Sequence, residues 1–287
     1  MASLRPSERL TVLMLVGLIG VSLILHPAGW ALRAVLFAGL LLMVLGVGSL
    51  RESPSTALAR DLAPVAVVLL VFLLLQPLVA ANPARWDGAL AAFDDRWFRG
   101  LGSAWRGAFG RPAALTDLVY AAYASFYLLP LSVALLTRIR LGPGPFEAVA
   151  FRILLGFYLS FLGYFLWPAE GPRVPEAMAA AQLGGGAVSQ AIRAFLRGAE
   201  TTTLDAFPSG HTALSVLSAL LATRRLPRLA PLLWTWAAAI VFATVYIRVH
   251  YLADVVAGLL LTGLTLASAS PLSRGLGDRE PRLSAPE

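Results

Sequence analysis

The sequence predicts an all-α fold: a polytopic bundle of helices that crosses a membrane several times. Three observations predict it. Hydrophobic residues make up 58% of the 287-residue chain against 14% charged, and the mean hydropathy is +0.74. A water-soluble domain has no interior large enough to hide that much apolar surface. The apolar residues also fall into eight runs, most of them close to the ~20 residues a helix needs to cross the hydrocarbon layer. Finally, the arginines between these runs are distributed unevenly over alternate connections, as in a chain threaded back and forth.

The runs, in order, cover residues 10–25, 34–50, 63–81, 118–136, 148–167, 212–223, 229–247 and 251–270. The first resembles a signal-peptide core. No small-residue cleavage site follows it and further runs do, so it is read as a span. The first two form a pair of N-terminal spans within residues 1–62, ahead of a six-span core over 63–270. The sixth run is short unless its helix starts near Ser209. The Pro-, Arg- and Glu-rich tail over 271–287 is expected to be disordered and cytoplasmic.

Eight spans put both termini on one side, and that side collects twelve arginines against seven acids. The other side holds ten arginines and nine acids. The positive-inside bias therefore places the termini in the cytoplasm and the opposite loops in the periplasm or outside the cell, in a plasma or inner membrane. All 23 basic residues are arginine, so lysine-based Schiff-base and nucleophile chemistry is excluded. With no cysteine, disulfides and thiolate metal sites are excluded too. The net charge of +7 is spread over membrane loops and gathers on no polar face, which argues against nucleic-acid binding.

Two long connections lie on the outer side. Over 83–113, Trp86, Leu90, Phe93, Trp97, Leu101 and Trp105 recur at steps of three and four, with Asp94, Asp95, Arg99 and Arg106 largely off that stripe. This predicts an amphipathic helix in the headgroup layer, the alternative being a helix packed on neighbouring loops. The connection over 168–207 contains a Gly184-Gly185-Gly186 stretch that reads as a flexible lid or linker. No strand precedes these glycines, so they are not a nucleotide fingerprint.

Two segments carry candidate chemistry. In Pro208-Ser209-Gly210-His211, Ser209 suits a helix N-cap. The following turn offers unpaired N–H groups and the positive end of the helix dipole, and Gly210 leaves room for a phosphate oxygen. His211 would sit beside such a phosphate as a proton donor. The second segment pairs His250 with Asp254 at i and i+4, on one helix face. A carboxylate at membrane depth needs a partner. One that accepts from a ring nitrogen leaves the other nitrogen free as a nucleophile. A capped interfacial helix and a structural polar pair are the alternatives for these two segments. Two ligands with no third His or Cys nearby make a metal site unfavourable. Arg173, just after the fifth run, and Arg248, just before His250, are candidate phosphate clamps. His26 reads as an interfacial residue.

Together these motifs resemble the type 2 phosphatidic acid phosphatase superfamily of membrane lipid-phosphate enzymes, over about residues 63–270. Pro208-Ser209-Gly210-His211 matches the second family motif. His250 through Asp254, followed by Val255, Ala257 and Gly258, matches the second half of the third; Ala243-Thr244 replaces its Ser-Arg first half. Of the first motif only Arg173 is kept, with Leu166 at the lysine position and Val174 at the proline position. The resemblance implies His250 as the nucleophile, oriented by Asp254, and His211 as the general acid. It implies Arg173, Ser209 and the Gly210 amide as phosphate ligands, and no cofactor or metal. The partners implied are a lipid phosphate or phospholipid substrate and the bilayer.

The Thr-containing, His-Tyr-rich third motif is similar to that of the inositol phosphorylceramide synthases, which pass a phosphoryl headgroup between lipids. Three functions are therefore in play: a lipid phosphotransferase, a lipid or polyprenyl phosphate phosphatase, and a non-catalytic lipid-binding or transport protein.

Overall fold

The computed structural model describes residues 4–25, 29–51, 53–174, 178, 182–199 and 203–277, without the side chains of 102, 103, 105, 106 and 199. Twelve helices and no strand occur among them. They are α1 (Pro6–Leu25), α2 (Trp30–Ser49), α3 (Pro54–Ala81), α4 (Asp87–Trp97), α5 (Leu101–Phe109) and α6 (Ala113–Ala124), then α7 (Leu128–Leu141), α8 (Pro143–Leu166), α9 (Ala187–Ala199), α10 (Gly210–Arg225), α11 (Ala230–Tyr246) and α12 (Leu252–Gly275). Helices α1, α2, α3, α8 and α12 are each long and apolar enough to cross a membrane, and the pair α6–α7 makes a sixth if taken as one span. The chain is an integral membrane protein with a helical-bundle fold. Each of the eight apolar runs falls on one of these helices or on that pair.

The helix limits follow local chemistry. Helix α3 starts well before its apolar run because Ser53 accepts from the Thr56 amide and Pro54 occupies the first turn. Helix α8 starts where Gly142, at φ 90°, hands over to Pro143. The fourth run does not form one rod: α6 and α7 meet at 54° across Ser125–Tyr127. Pro130 explains the break, because it has no N–H to give the Phe126 carbonyl and its ring clashes with that carbonyl. Helix α12 continues to Gly275, into the first part of the expected tail. The rest of that tail, from 278 on, and His26 lie outside the described residues.

Helix α10 is the central element and packs on α7, α8, α11 and α12. The N-terminal pair is not set apart from the core, since α1 packs on α3 and α8 as well as on α2. A polar network ties that end together. Arg60 donates twice to Glu8, at 2.7 and 2.6 Å, with both side chains buried. Asp61 bridges Arg5 and Arg138 at 2.7 Å each, and Glu147 accepts from the Ser7 amide and hydroxyl.

The 83–113 connection is two helices, with a break at Phe98–Gly100 where Gly100 adopts φ 70°. Its apolar stripe is mostly exposed, as an interfacial face requires: Trp86, Phe93, Trp97 and Leu101 face outward and only Leu90 is buried. The side chains of Trp105 and Arg106 lie outside what is described. The expected glycine lid is instead anchored. The Gly186 and Ser189 amides donate to Asp117 of α6, at 2.8 and 2.9 Å, and open the amphipathic helix α9 on that same α6.

Candidate active site

Both histidines stand at helix N-termini on the same end of the bundle. His211 is the second residue of α10, and His250 lies two residues before α12. Three close approaches bring their elements together. Gly258 of α12 sits against the Ser209 carbonyl and Thr212, and an added Cβ there would lie 2.6 Å from that oxygen. The Ser209 amide donates to the Asp254 carbonyl at 3.1 Å. Gly163 gives the same room on α8, where a Cβ would collide with the Pro208 ring.

The imidazoles of His211 and His250 are 5.8 Å apart, centre to centre, and line one small cavity with Arg173, Asp205, Tyr164 and Gly210. His250 Nδ1 is 3.2 Å from Asp254 Oδ2, which also accepts from the Tyr251 amide at 2.8 Å. Asp254 is fully buried. A carboxylate at Nδ1 places the ring proton there and leaves the lone pair on Nε2. His211 is stacked on Tyr123 at 4.4 Å and held by Phe126 at 4.2 Å. Tyr123 comes from the last turn of α6 and Phe126 from the α6–α7 break, so the bend helps build the wall that holds this ring. The enclosed space is about 30 Å³, which is room for a couple of waters but not for a phosphate group. The Tyr164 hydroxyl lies over the Gly210 amide, where an added Cβ would strike it. A phosphate oxygen reaching that amide has to displace it.

The other expected site residues divide. Arg173 is in the cavity; its Nη2 pairs with Asp205 at 3.1 Å and its Nε donates to the Glu170 carbonyl at 2.9 Å. Its loop is seated by Gly171, at φ 78°, whose missing Cβ lets it lie directly on the Val249 carbonyl next to His250. Gly210 lines the cavity. Ser209 does not: its hydroxyl is turned into the helix as the N-cap, accepting from the Thr212 amide at 3.2 Å and bonded to the Thr212 hydroxyl at 3.0 Å. Arg248 is also elsewhere. It adopts φ 61° and donates to Gln182 at 3.0 Å, lining a separate polar cavity with Arg111 and Tyr246. Its side chain lines that cavity and not the one around His250. It therefore does not take the place of the arginine absent at Thr244, whose hydroxyl donates to the Val241 carbonyl. Leu166, at the lysine position of the first motif, faces outward.

Several supporting residues were not found from sequence. Asp94 caps α12, accepting from the Leu252 and Ala253 amides at 2.9 and 2.8 Å. Asp87 accepts from the Glu170 and Gly171 amides and fixes the Arg173 loop. Both acids sit far from these partners in sequence, and no local signal marks them. Asp205 and Tyr164 carry no motif signal either, though Asp205 lies three residues before Pro208.

The model of the PAP2 superfamily matches residues 88–268, a stretch that contains α4 to α12 up to the last turns and all the residues of this cavity except Phe72. The chain belongs to the PAP2 superfamily. No curated protein and no solved structure matches it. Membership supports activity of the lipid phosphatase or phosphotransferase type, on lipid-phosphate substrates in a bilayer. Helices α1 to α3 lie ahead of the matched residues. The PAP2 cavity presents two imidazoles, one of them paired with a carboxylate, together with one guanidinium and a helix N-terminus. No group of three residues placed to hold a metal ion occurs among the described residues.

Proposed function

We propose that this PAP2 protein is a lipid phosphotransferase that moves a phospho-headgroup from one lipid alcohol to another through a phosphohistidine. In the first step, Nε2 of His250 attacks phosphorus. The bond to the leaving lipid oxygen breaks, and His211 gives that oxygen its proton. Asp254 stabilises the charge that develops on the His250 ring. Arg173 and the Gly210 amide hold the non-bridging oxygens once the Tyr164 hydroxyl gives way. In the second step an acceptor alcohol attacks phosphorus, His211 takes its proton, and the P–N bond breaks to restore His250. Ser209 serves as the cap that shapes this end of α10.

The observation that carries the reading is the 5.8 Å approach of the two imidazoles in one cavity with Arg173, while Asp254 holds the far nitrogen of His250. Transfer is favoured over hydrolysis because Arg173 is the one guanidinium lining the cavity among the described residues. A doubly charged monoester calls for more cations than a singly charged diester. Thr244 in the third motif supports the same choice through its resemblance to the inositol phosphorylceramide synthase branch. The second reading, a lipid or polyprenyl phosphate phosphatase, shares the same covalent step. Purified protein incubated with a diester donor and a lipid alcohol should form the exchanged lipid. Release of inorganic phosphate from a monoester, with no exchange, would establish the phosphatase instead.

The reading also places the catalytic core at residues 63–270, with α1 and α2 as an N-terminal pair. It puts both termini on the cytoplasmic side and the cavity towards the periplasm or exterior. The bias of arginine between the two sides supports that orientation.

A further inference from the structure

The cavity holding His211 and His250 contains a carboxylate that the chemistry above does not use. Asp205 lines it, three residues before Pro208, and is only 19% exposed. Its Oδ1 is 3.1 Å from Nη2 of Arg173. An acid is an unexpected lining for a phosphate pocket, because it repels the ligand and occupies the guanidinium that should bind it. The other places where a cation was expected supply none: Leu166 faces outward, the Thr244 hydroxyl bonds its own helix, and Arg248 lines another cavity. Apart from the two imidazoles, the charged groups lining the cavity among the described residues are therefore one cation and one anion.

We infer that Asp205 is a specificity-determining residue: its carboxylate offsets the Arg173 guanidinium in the phosphate cavity and so selects singly charged phosphodiesters over doubly charged phosphomonoesters. The inference rests on the phosphotransferase reading and deepens it. Attraction to Arg173 and repulsion from Asp205 both scale with the ligand's charge, so with the pair intact a second negative charge on the ligand gains nothing. Removing the carboxylate removes its repulsion, and a dianion benefits from that twice as much as a monoanion. The same logic gives a pH signature. A phosphomonoester dianion takes up one proton at about pH 6, so below that pH it becomes a monoanion like the diester.

The test uses full-length protein in lipid nanodiscs. Phosphatidic acid is the monoester, assayed by phosphate release, and phosphatidylglycerol with a lipid alcohol is the diester, assayed by exchange. Asp205→Asn should raise the monoester-to-diester ratio of kcat/KM at least tenfold, mainly through a lower KM for phosphatidic acid. Asp205→Glu should keep the ratio within about threefold of the unmodified protein. In the unmodified protein the ratio should rise between pH 7.5 and 5.5, with the diester correcting for titration of the enzyme. In Asp205→Asn that rise should disappear.

An unchanged or lower ratio in Asp205→Asn would overturn the inference. Equal loss of both activities would do the same and would make Asp205 a residue that merely positions Arg173. If the unmodified protein exchanges no diester at all, the phosphotransferase reading fails separately. The inference is then decided by phosphatidic acid alone, whose KM must fall at least tenfold in Asp205→Asn.

Discussion

His250 and Asp254 are a nucleophile and its orienting partner only if each depends on the other, and substitutions separate that from a structural pair. His250→Gln should abolish turnover. His211→Ala should lower kcat by about 10²–10⁴-fold, the usual contribution of a positioned proton donor. Both proteins should still fold, with unfolding midpoints close to that of the parent in detergent. Asp254→Asn should lower kcat by about 10²–10⁴-fold through the wrong tautomer of His250, with little change in KM. A fall in thermal stability without loss of kcat in the folded fraction would make Asp254 a packing residue. The pairing of these two residues was legible from their spacing, but not as a helix face: His250 lies ahead of α12, and the 3.2 Å contact is made where Asp254 folds back on the helix entrance to accept from the Tyr251 amide. The N-cap at Ser209 was legible too, because its bond to the Thr212 amide is local. The place of Arg248 was not, since a backbone at φ 61° is set by tertiary context, which spacing along the chain does not encode.

At the scale of elements, the site is held by contacts between segments distant in sequence. Asp94 of α4 satisfies two of the free amides that open α12. Asp94→Ala should cost about 1–2 kcal/mol, the value of an N-cap, and lower the unfolding midpoint by a few degrees. Its activity should fall with it, because α12 carries Asp254. Asp95→Ala, on an exposed position next to it, should change stability by no more than about 0.5 kcal/mol. Calorimetry and turnover of the two variants, compared side by side, check both statements. Gly171→Ala should uncouple Arg173 from the site, since its Cβ has nowhere to go against the Val249 carbonyl. The measurable result is a higher KM from a protein that still folds.

Periodicity located the amphipathic stripe of 83–113 correctly but said nothing of the break at Gly100. Nor did it say that the off-stripe Asp94 faces the start of α12. The bend between α6 and α7 had a visible cause in Pro130, yet hydropathy alone joined the two helices into one span.

For the whole molecule, the eight apolar runs became helices because hydrocarbon leaves backbone groups no partner outside the helix. That rule is why the bundle was readable from composition and run length. The assembly of the N-terminal pair onto the core was less readable, because it depends on pairings such as Glu8 with Arg60 across different helices. Glu8→Ala leaves that guanidinium buried without its carboxylate and should destabilise the protein by about 3–5 kcal/mol. Glu8→Met combined with Arg60→Met should recover most of the loss, as followed by thermal unfolding in detergent.

Orientation has its own check, helped by the absence of native cysteine. A cysteine at Ala84 should react with an impermeant maleimide in intact cells, and one at Ser55 only after permeabilisation. The reverse pattern would turn the cavity towards the cytoplasm.

The pairing of the two imidazoles around one phosphorus is tested most directly by trapping the enzyme in mid-reaction. Protein mixed with a donor lipid radiolabelled at its phosphorus, without acceptor, and quenched within milliseconds should carry a label stable to alkali and lost in acid. The label should map to His250, disappear in His250→Gln and leave the protein when a lipid alcohol is added. A protein that turns over its substrate with no such label, or with the label on another residue, would contradict the account.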